Sequence, residues 1–271
     1  MTPHPARSTA GTTPDGGPGR SDEGVPDLTQ QRTLPASRPA PVLRRARRAF
    51  GALAVVATLG LGAGWVTTPG VDDARTRVDA RLAAHAGTAL GGEIPPRVAA
   101  ALLATEDSHF ADHVGIDWRG ALRAPLGLVS GTDRGGSTVH QQLARVVYED
   151  GATDPLAKAR AVVLALKLDR AWSNEELLRM YLDAAYFGHG FYGLDAAARG
   201  YFDAAPGELD WAQATVLVGL VQAPSAYDPL VHPELARARQ AHVLERLVDV
   251  GTLAREDADR IAATSWGLAQ G

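Results

Sequence analysis

The chain has 271 residues, 45% of them apolar, no cysteine and a formal net charge of −4. Residues 1–49 carry eight Arg against four acids, so the remainder accounts for −8. That acidic remainder excludes nucleic acid as a partner, which would need a concentrated basic surface.

In chain order, residues 1–43 are rich in Pro, Gly, Thr, Ser and Arg and lack apolar periodicity. Such a composition buries too little surface to offset chain entropy, so a disordered tail is expected. Arg44, Arg45, Arg47 and Arg48 form a basic knot, and the uncharged run Phe50–Val66 follows. Residues 44–68 read as a transmembrane anchor, with the long Arg stems snorkelling to the interface. The charge asymmetry favours a cytoplasmic tail, and the knot suits anionic lipid at that leaflet. A cleaved signal peptide is the competing device, disfavoured by Trp65, Pro69 and the length of the tail. Both devices place the remainder outside the cytoplasm, and the lack of Cys is compatible with that compartment.

Residues 69–90 read as a linker containing a polar helix over 71–85, and 91–265 as one helical domain. Pro95-Pro96 opens a helix expected to run to about Ala111. Further helices are expected over 137–148, 156–171, from Ser173 onward, and over 194–201, 208–222, 233–250 and 254–263. Ser137 is the expected cap of the second, and Ser173 and Glu176 are spaced as a capping box. No sustained alternation marks a strand, so the fold class is all-α.

Two polar clusters carry the chemistry. Glu106, Phe110 and His113 fall at i, i+4 and i+7 and share a face if one helix holds all three. Burial of a carboxylate favours its protonated form and suits it to proton transfer near neutrality. His109 and His113 also have zinc-ligand spacing, but no third ligand is evident and the metal assignment stays unknown. The second cluster begins at Gly135-Gly136, where the backbone can approach a ligand closely. Ser137, Gln141 and Arg145 then line one helical face, able to meet sugar hydroxyls and a pyrophosphate. Lys158 can add charge near a leaving phosphate. The apolar stretch Ala121–Val129 either dips into the outer leaflet or packs in the core. His140 and His189 have no assignment.

Ordered across the chain, these residues resemble the peptidoglycan glycosyltransferases of class A penicillin-binding proteins and their monofunctional relatives. The likeness runs from about Ile94 to Ala263. It rests on Glu106-Asp107-x-x-Phe110-x-x-His113-x-Gly115 and on Gly135-Gly136-Ser137-Thr138-x-x-Gln141-Gln142-Leu143-x-Arg145. Leu178-x-x-Tyr181-Leu182, Tyr186-Phe187-Gly188-x-Gly190-x-Tyr192-Gly193 and Ala223-Pro224-Ser225-x-Tyr227-x-Pro229 extend it. Only 42 residues follow Pro229, so no transpeptidase domain is expected.

The resemblance implies a lysozyme-like helical fold and polymerisation of lipid II into β-1,4-linked glycan strands, with inversion and loss of undecaprenyl pyrophosphate. Glu106 is implied as the general base. Ser137, Thr138, Gln141, Gln142, Arg145 and Lys158 are implied to hold substrate and pyrophosphate. Asp107, Phe110, His113, Gly115, Gly135, Gly136, Tyr181 and Asp183 are implied as support. No tightly bound cofactor is implied, though Mg²⁺ or another divalent cation could accompany the pyrophosphate. The implied partners are lipid II, the nascent glycan strand, the membrane, separate transpeptidases and cell-wall assembly proteins.

Five positions depart from the family pattern, among them Ala157 where Arg is usual and Val146 where Asn is usual. Arg145 stands where Lys is usual, and Asp183 replaces an Asn. Ala161 falls where the family carries its second active-site Glu. Two alternatives follow: a weakly active or inactive lipid II-binding scaffold, and a lytic muramidase using a raised-pKa acid.

Overall fold

The structure is a computed structural model that describes residues 41–118, 120 and 137–269. The tail 1–40, the stretch Ala121–Val129, Gly135 and Gly136 lie outside the described residues. The chain divides into two units, Met1–Gly51 and Ala52–Gly271.

The first unit is described from Pro41 onward and is helical there. Helix α1 spans Pro41–Thr67, 27 residues, or about 40 Å at the α-helical rise. Its segment Arg45–Thr67 is long and apolar enough to cross a membrane. Phe50, Val55, Val56 and Leu59 are exposed along it, as suits a helix whose solvent is lipid.

The second unit is built from helices. In order these are α2 (Ala74–Ala84), α3 (Pro96–Glu106), α4 (Val139–Tyr148), α5 (Pro155–Ala171), α6 (Asn174–Ala184), α7 (Leu194–Phe202), α8 (Trp211–Leu220), α9 (Pro233–Asp249) and α10 (Arg255–Ala262). Among the described residues the β-structure is a single bridge between Tyr186 and Tyr192, so the fold is all-α. Residues Ala212 and Ala214–Leu220 of α8 are all buried, which makes it a core helix rather than an amphipathic one. Helices α3 and α9 pack on α8 and on each other, while α4 packs on α5 and α6.

Local signals explain most boundaries. Asp154 accepts from Leu156 N and Ala157 N at the head of α5, with Pro155 in its first turn. Ser173 and Glu176 form both arms of their capping box at the head of α6. Helix α8 is shorter than the expected 208–222 and α2 starts at Ala74 rather than 71, and two further boundaries differ for a reason that the contacts show. The cap of α4 is Thr138, not Ser137: its Oγ1 accepts from Gln141 N, while Gln141 Oε1 accepts from Thr138 N. Helix α3 stops at Glu106 instead of about Ala111, because Asp107 leaves helical geometry (φ −159°, ψ 72°). Glu106, Phe110 and His113 therefore do not share a helical face.

Candidate active site

The early end of α3 is caused by Asp107. Its Oδ2 accepts from Val139 N at 3.0 Å, tying the turn to the first residue of α4. Its carboxylate also meets His113 Nε2 at 2.9 and 3.0 Å. Burial disfavours the charged His113 ring, but Asp107 outweighs it and the pKa lies above the usual value. Gly115 N donates to His113 Nδ1, and Gly115 O accepts from Thr138 Oγ1 at 2.8 Å. Gly115 has φ +84°, and a Cβ there would stand 2.6 Å from Ala165 O, so no other residue fits. Phe110 closes the turn as a buried ring. Asp107, Phe110, His113, Gly115, Thr138 and Gln141 are thus engaged with one another and with the backbone.

Glu106, the last residue of α3, points elsewhere. Gln142 Nε2 donates to its Oε2 at 3.0 Å, and Arg239 Nη2 lies 3.3 Å from its Oε1. Tyr181 OH in turn donates to Gln142 Oε1 at 2.8 Å, which fixes the orientation of that amide. Burial, together with the charge of Glu106, raises the Tyr181 pKa well above its ordinary value, so the phenol remains a donor.

These residues line a cavity of about 430 Å³. Its wall takes Thr105 and Glu106 from α3, Ser137, Gln142 and Arg145 from α4 and its approach, Tyr181 from α6, Arg81 from α2, and Arg239 and His242 from α9. Tyr186, Gln222 and Pro224 complete the rim. Among the described lining residues Glu106 is the one carboxylate, set against the guanidiniums of Arg81, Arg145 and Arg239. Arg145 Nε is buried without a hydrogen-bond partner. The field inside favours an anion next to a proton acceptor.

The residues read from sequence therefore divide. Glu106, Ser137, Gln142, Arg145 and Tyr181 meet at the cavity. Thr138 and Gln141 do not line it, being occupied by the α4 cap. Lys158 is exposed on α5, outside the described lining. Asp183 is buried against Arg75 Nη1 at 2.6 Å and Leu90 N at 2.7 Å, holding the segment after α2 to α6. Ala161 is buried in the core on α5. Arg81, Arg239 and His242 were not singled out from the sequence, whereas Tyr186 stood in a matching motif without a site role. For Arg239 a signal exists: it interrupts the buried stripe Ala236, Gln240, Val243, Leu244 and Leu247 of α9. An Arg in an apolar stripe requires a buried anion or carbonyl, here Glu106 and Gly219 O.

Residues 82–248 match the family model described as Transglycosylase. Penicillin-binding protein 1F of Bacillus subtilis is 36% identical over 178 residues, which cover 65% of this chain and 25% of that protein. Penicillin-binding protein 1A of Mycolicibacterium smegmatis is 38% identical over 173 residues, 62% of this chain and 22% of that one. A Cupriavidus necator protein named as a transglycosylase is 36% identical over 169 residues, 62% of this chain and 73% of that protein. The chain thus spans a quarter or less of the length of these two penicillin-binding relatives and most of the length of the third.

Proposed function

Starting from the fact that the chain belongs to the transglycosylase family, we propose that it polymerises lipid II into β-1,4-linked glycan strands. The observation that carries this reading is the pairing of one carboxylate with three guanidiniums around a single cavity.

In the proposed step Glu106 takes the proton of the acceptor sugar's 4-hydroxyl. The freed oxygen pair attacks the donor's anomeric carbon, forming the new C–O bond. The bond from that carbon to the pyrophosphate oxygen breaks on the opposite face, and undecaprenyl pyrophosphate leaves with the electron pair. The anomeric centre therefore inverts. A positioned base contributes about 10²–10⁴-fold to such a step. Gln142, locked by Tyr181, holds the carboxylate in place. Arg145 and Arg81 meet the charge growing on the departing diphosphate, an effect strongest away from water. Arg239 balances the Glu106 charge between turnovers. Lys158 is exposed on α5 outside the described lining, and the step is written without it. Mg²⁺ or a similar cation belongs here to the substrate: a hard cation wants several oxygens, and the described lining offers one carboxylate already engaged.

Helix α1 would hold the domain at the outer face of the membrane, with the tail in the cytoplasm, beside substrates that carry polyprenyl chains. Cross-linking of the nascent strand would fall to separate transpeptidases. The family's second acid is represented at position 161 by Ala, and this favours a second reading, a scaffold that binds lipid II without extending it. The test is the full-length protein with lipid II. Polymer formed by the wild type and lost in Glu106→Gln supports the polymerase. Lipid II binding with no polymer favours the scaffold. Fragments released from finished wall, or polymer undiminished in Glu106→Gln, overturn it.

A further inference from the structure

One residue beyond Glu106, and outside the cavity lining, Asp107 begins a cluster that the proposed reaction does not use. Asp107, His113 and His140 each offer a ligand atom, and these atoms all lie within 4.8 Å of one another. His140 is fully buried, yet neither of its ring nitrogens has a hydrogen-bond partner. A buried imidazole with both nitrogens unsatisfied forfeits its hydration with nothing in return, so it calls for an explanation. His140 packs edge-on to His113 at 5.3 Å and against Phe110 at 5.0 Å between centroids. Asp169 Oδ1 stands 3.6 Å from His140 Nε2, beyond hydrogen-bond reach but close enough to matter electrostatically.

We propose that Asp107, His113 and His140 form a site for a divalent transition-metal ion of the zinc class, which bridges the turn after α3 to α4. Two imidazoles and a carboxylate are a borderline donor set that suits Zn²⁺ or Co²⁺ rather than Mg²⁺. With bonds of about 2.0–2.2 Å, ligand atoms on a tetrahedral ion stand about 3.4 Å apart, so the widest separation in the cluster closes by roughly an ångström while His113 Nε2 and Asp107, now 2.9 Å apart, open slightly to admit the ion. Asp107 and Asp169 together carry two negative charges, which neutralise a buried dication. Access exists from outside: a shallow cavity of about 520 Å³ is lined by His113 with His109, Asp117 and Trp118. His109 and His113, paired by spacing in the sequence, therefore separate. His113 is a ligand, His109 sits in the access route beside Asp117, and the missing third ligand comes from α4.

Loading requires one local exchange. His113 now carries its proton on Nε2, toward Asp107, and accepts from Gly115 N at Nδ1. When the ion takes the Nε2 lone pair, that proton is lost from Nε2, a proton is taken up at Nδ1, and the Gly115 contact is released; the ring stays neutral. The bound ion would then fix the two elements that hold Glu106 and Gln142, since Asp107 directly follows the first and His140 lies two residues before the second.

The test uses chelator-stripped full-length protein in detergent and Zn²⁺ alone as the probe, followed by calorimetry. One Zn²⁺ per chain with micromolar or tighter affinity is expected. His140→Phe keeps the ring packing and removes the lone pairs, and should weaken binding by more than the about 10–100-fold typical of losing a mere supporting contact. Glu106→Gln should bind Zn²⁺ as the wild type does. Co²⁺-loaded wild type needs no variant and should show the intense visible bands of a four-coordinate site with nitrogen donors. No stoichiometric binding, equal affinity in His140→Phe, loss of binding in Glu106→Gln, or a six-coordinate aqueous Co²⁺ spectrum would each overturn the proposal.

Discussion

Helix α4 presents two sets of polar residues that look alike in sequence and differ in what they do. At its head, Thr138 and Gln141 close a capping box, and Thr138 also donates to Gly115 O. One residue further along, Gln142 reaches Glu106 across the cavity, and Arg145 lines the same space with an unpartnered Nε. In the first set, Thr138 Oγ1 and Gln141 Oε1 are spent on the backbone at the head of the helix. The second lines the cavity, where Gln142 holds the Glu106 carboxylate and Arg145 shares the same wall. A residue's part in a motif therefore does not reveal whether it serves the fold or the substrate; whether its polar atoms are bonded to backbone or line the cavity does.

The largest expected effect breaks this comparison at the cavity. Glu106→Gln should lower polymerisation by about 10²–10⁴-fold while the thermal midpoint stays within about 2 °C, a shift of at most about 1 kcal/mol for a unit of this size. A large loss of stability alongside the lost activity would place Glu106 with the scaffold instead. Next comes Gln142→Leu, which removes the donor to Glu106 and leaves Tyr181 OH without its acceptor. A fall in kcat of about 10–100-fold with little change in KM is expected, since a positioning contact acts on the transition state. A change confined to KM would make Gln142 a substrate-binding group only.

Thr138→Ala sharpens the contrast from the other side, because its cost should appear in stability. Loss of the cap costs about 0.5–2 kcal/mol, and Gly115 O loses a buried donor at about 1–3 kcal/mol. A lowering of the thermal midpoint by several degrees is expected, with activity per folded molecule within about threefold of wild type. If the variant is instead stable and slow, the division of α4 into two sets fails.

How much of this was legible in the sequence depends on range. Helices were readable where local signals set them, as at Pro95-Pro96 and at Ser173 with Glu176. The end of α3 was not, because what stops it is a bond from Asp107 to Val139 N, 32 residues away. The cap of α4 was displaced by one residue because Thr138 gains a second partner in Gly115 O that Ser137 lacks. The cavity was half legible: Glu106, Gln142 and Arg145 sit in dense motifs, whereas Arg81 and Arg239 arrive from helices that carry no motif around them. His140 could not be assigned because its neighbours Asp107 and His113 belong to another segment entirely.

The smallest expected effect concerns the far end of α4, where Tyr148 OH donates to Asp73 Oδ1 at 2.9 Å. Partial burial works against the Asp73 charge, but hydrogen bonds from Arg77 and Tyr148 outweigh it and hold its pKa below the ordinary value. Because the folded pKa is depressed, the contact contributes in full above the unfolded value of about 3.9 and fades as pH falls through the folded one. Asp73 is half exposed, so water screens the pair and Tyr148→Phe should cost about 0.5–1 kcal/mol near neutrality. The gap between wild type and variant in chemical denaturation should stay level from neutral pH down to about 5 and close below about 4. A gap that persists undiminished in acid would mean that Tyr148 supports α4 through ring packing under Arg77 rather than through Asp73. In either case polymerisation per folded molecule should change little, because Tyr148 itself does not line the cavity, although Arg145 and Val146 of the same turn do.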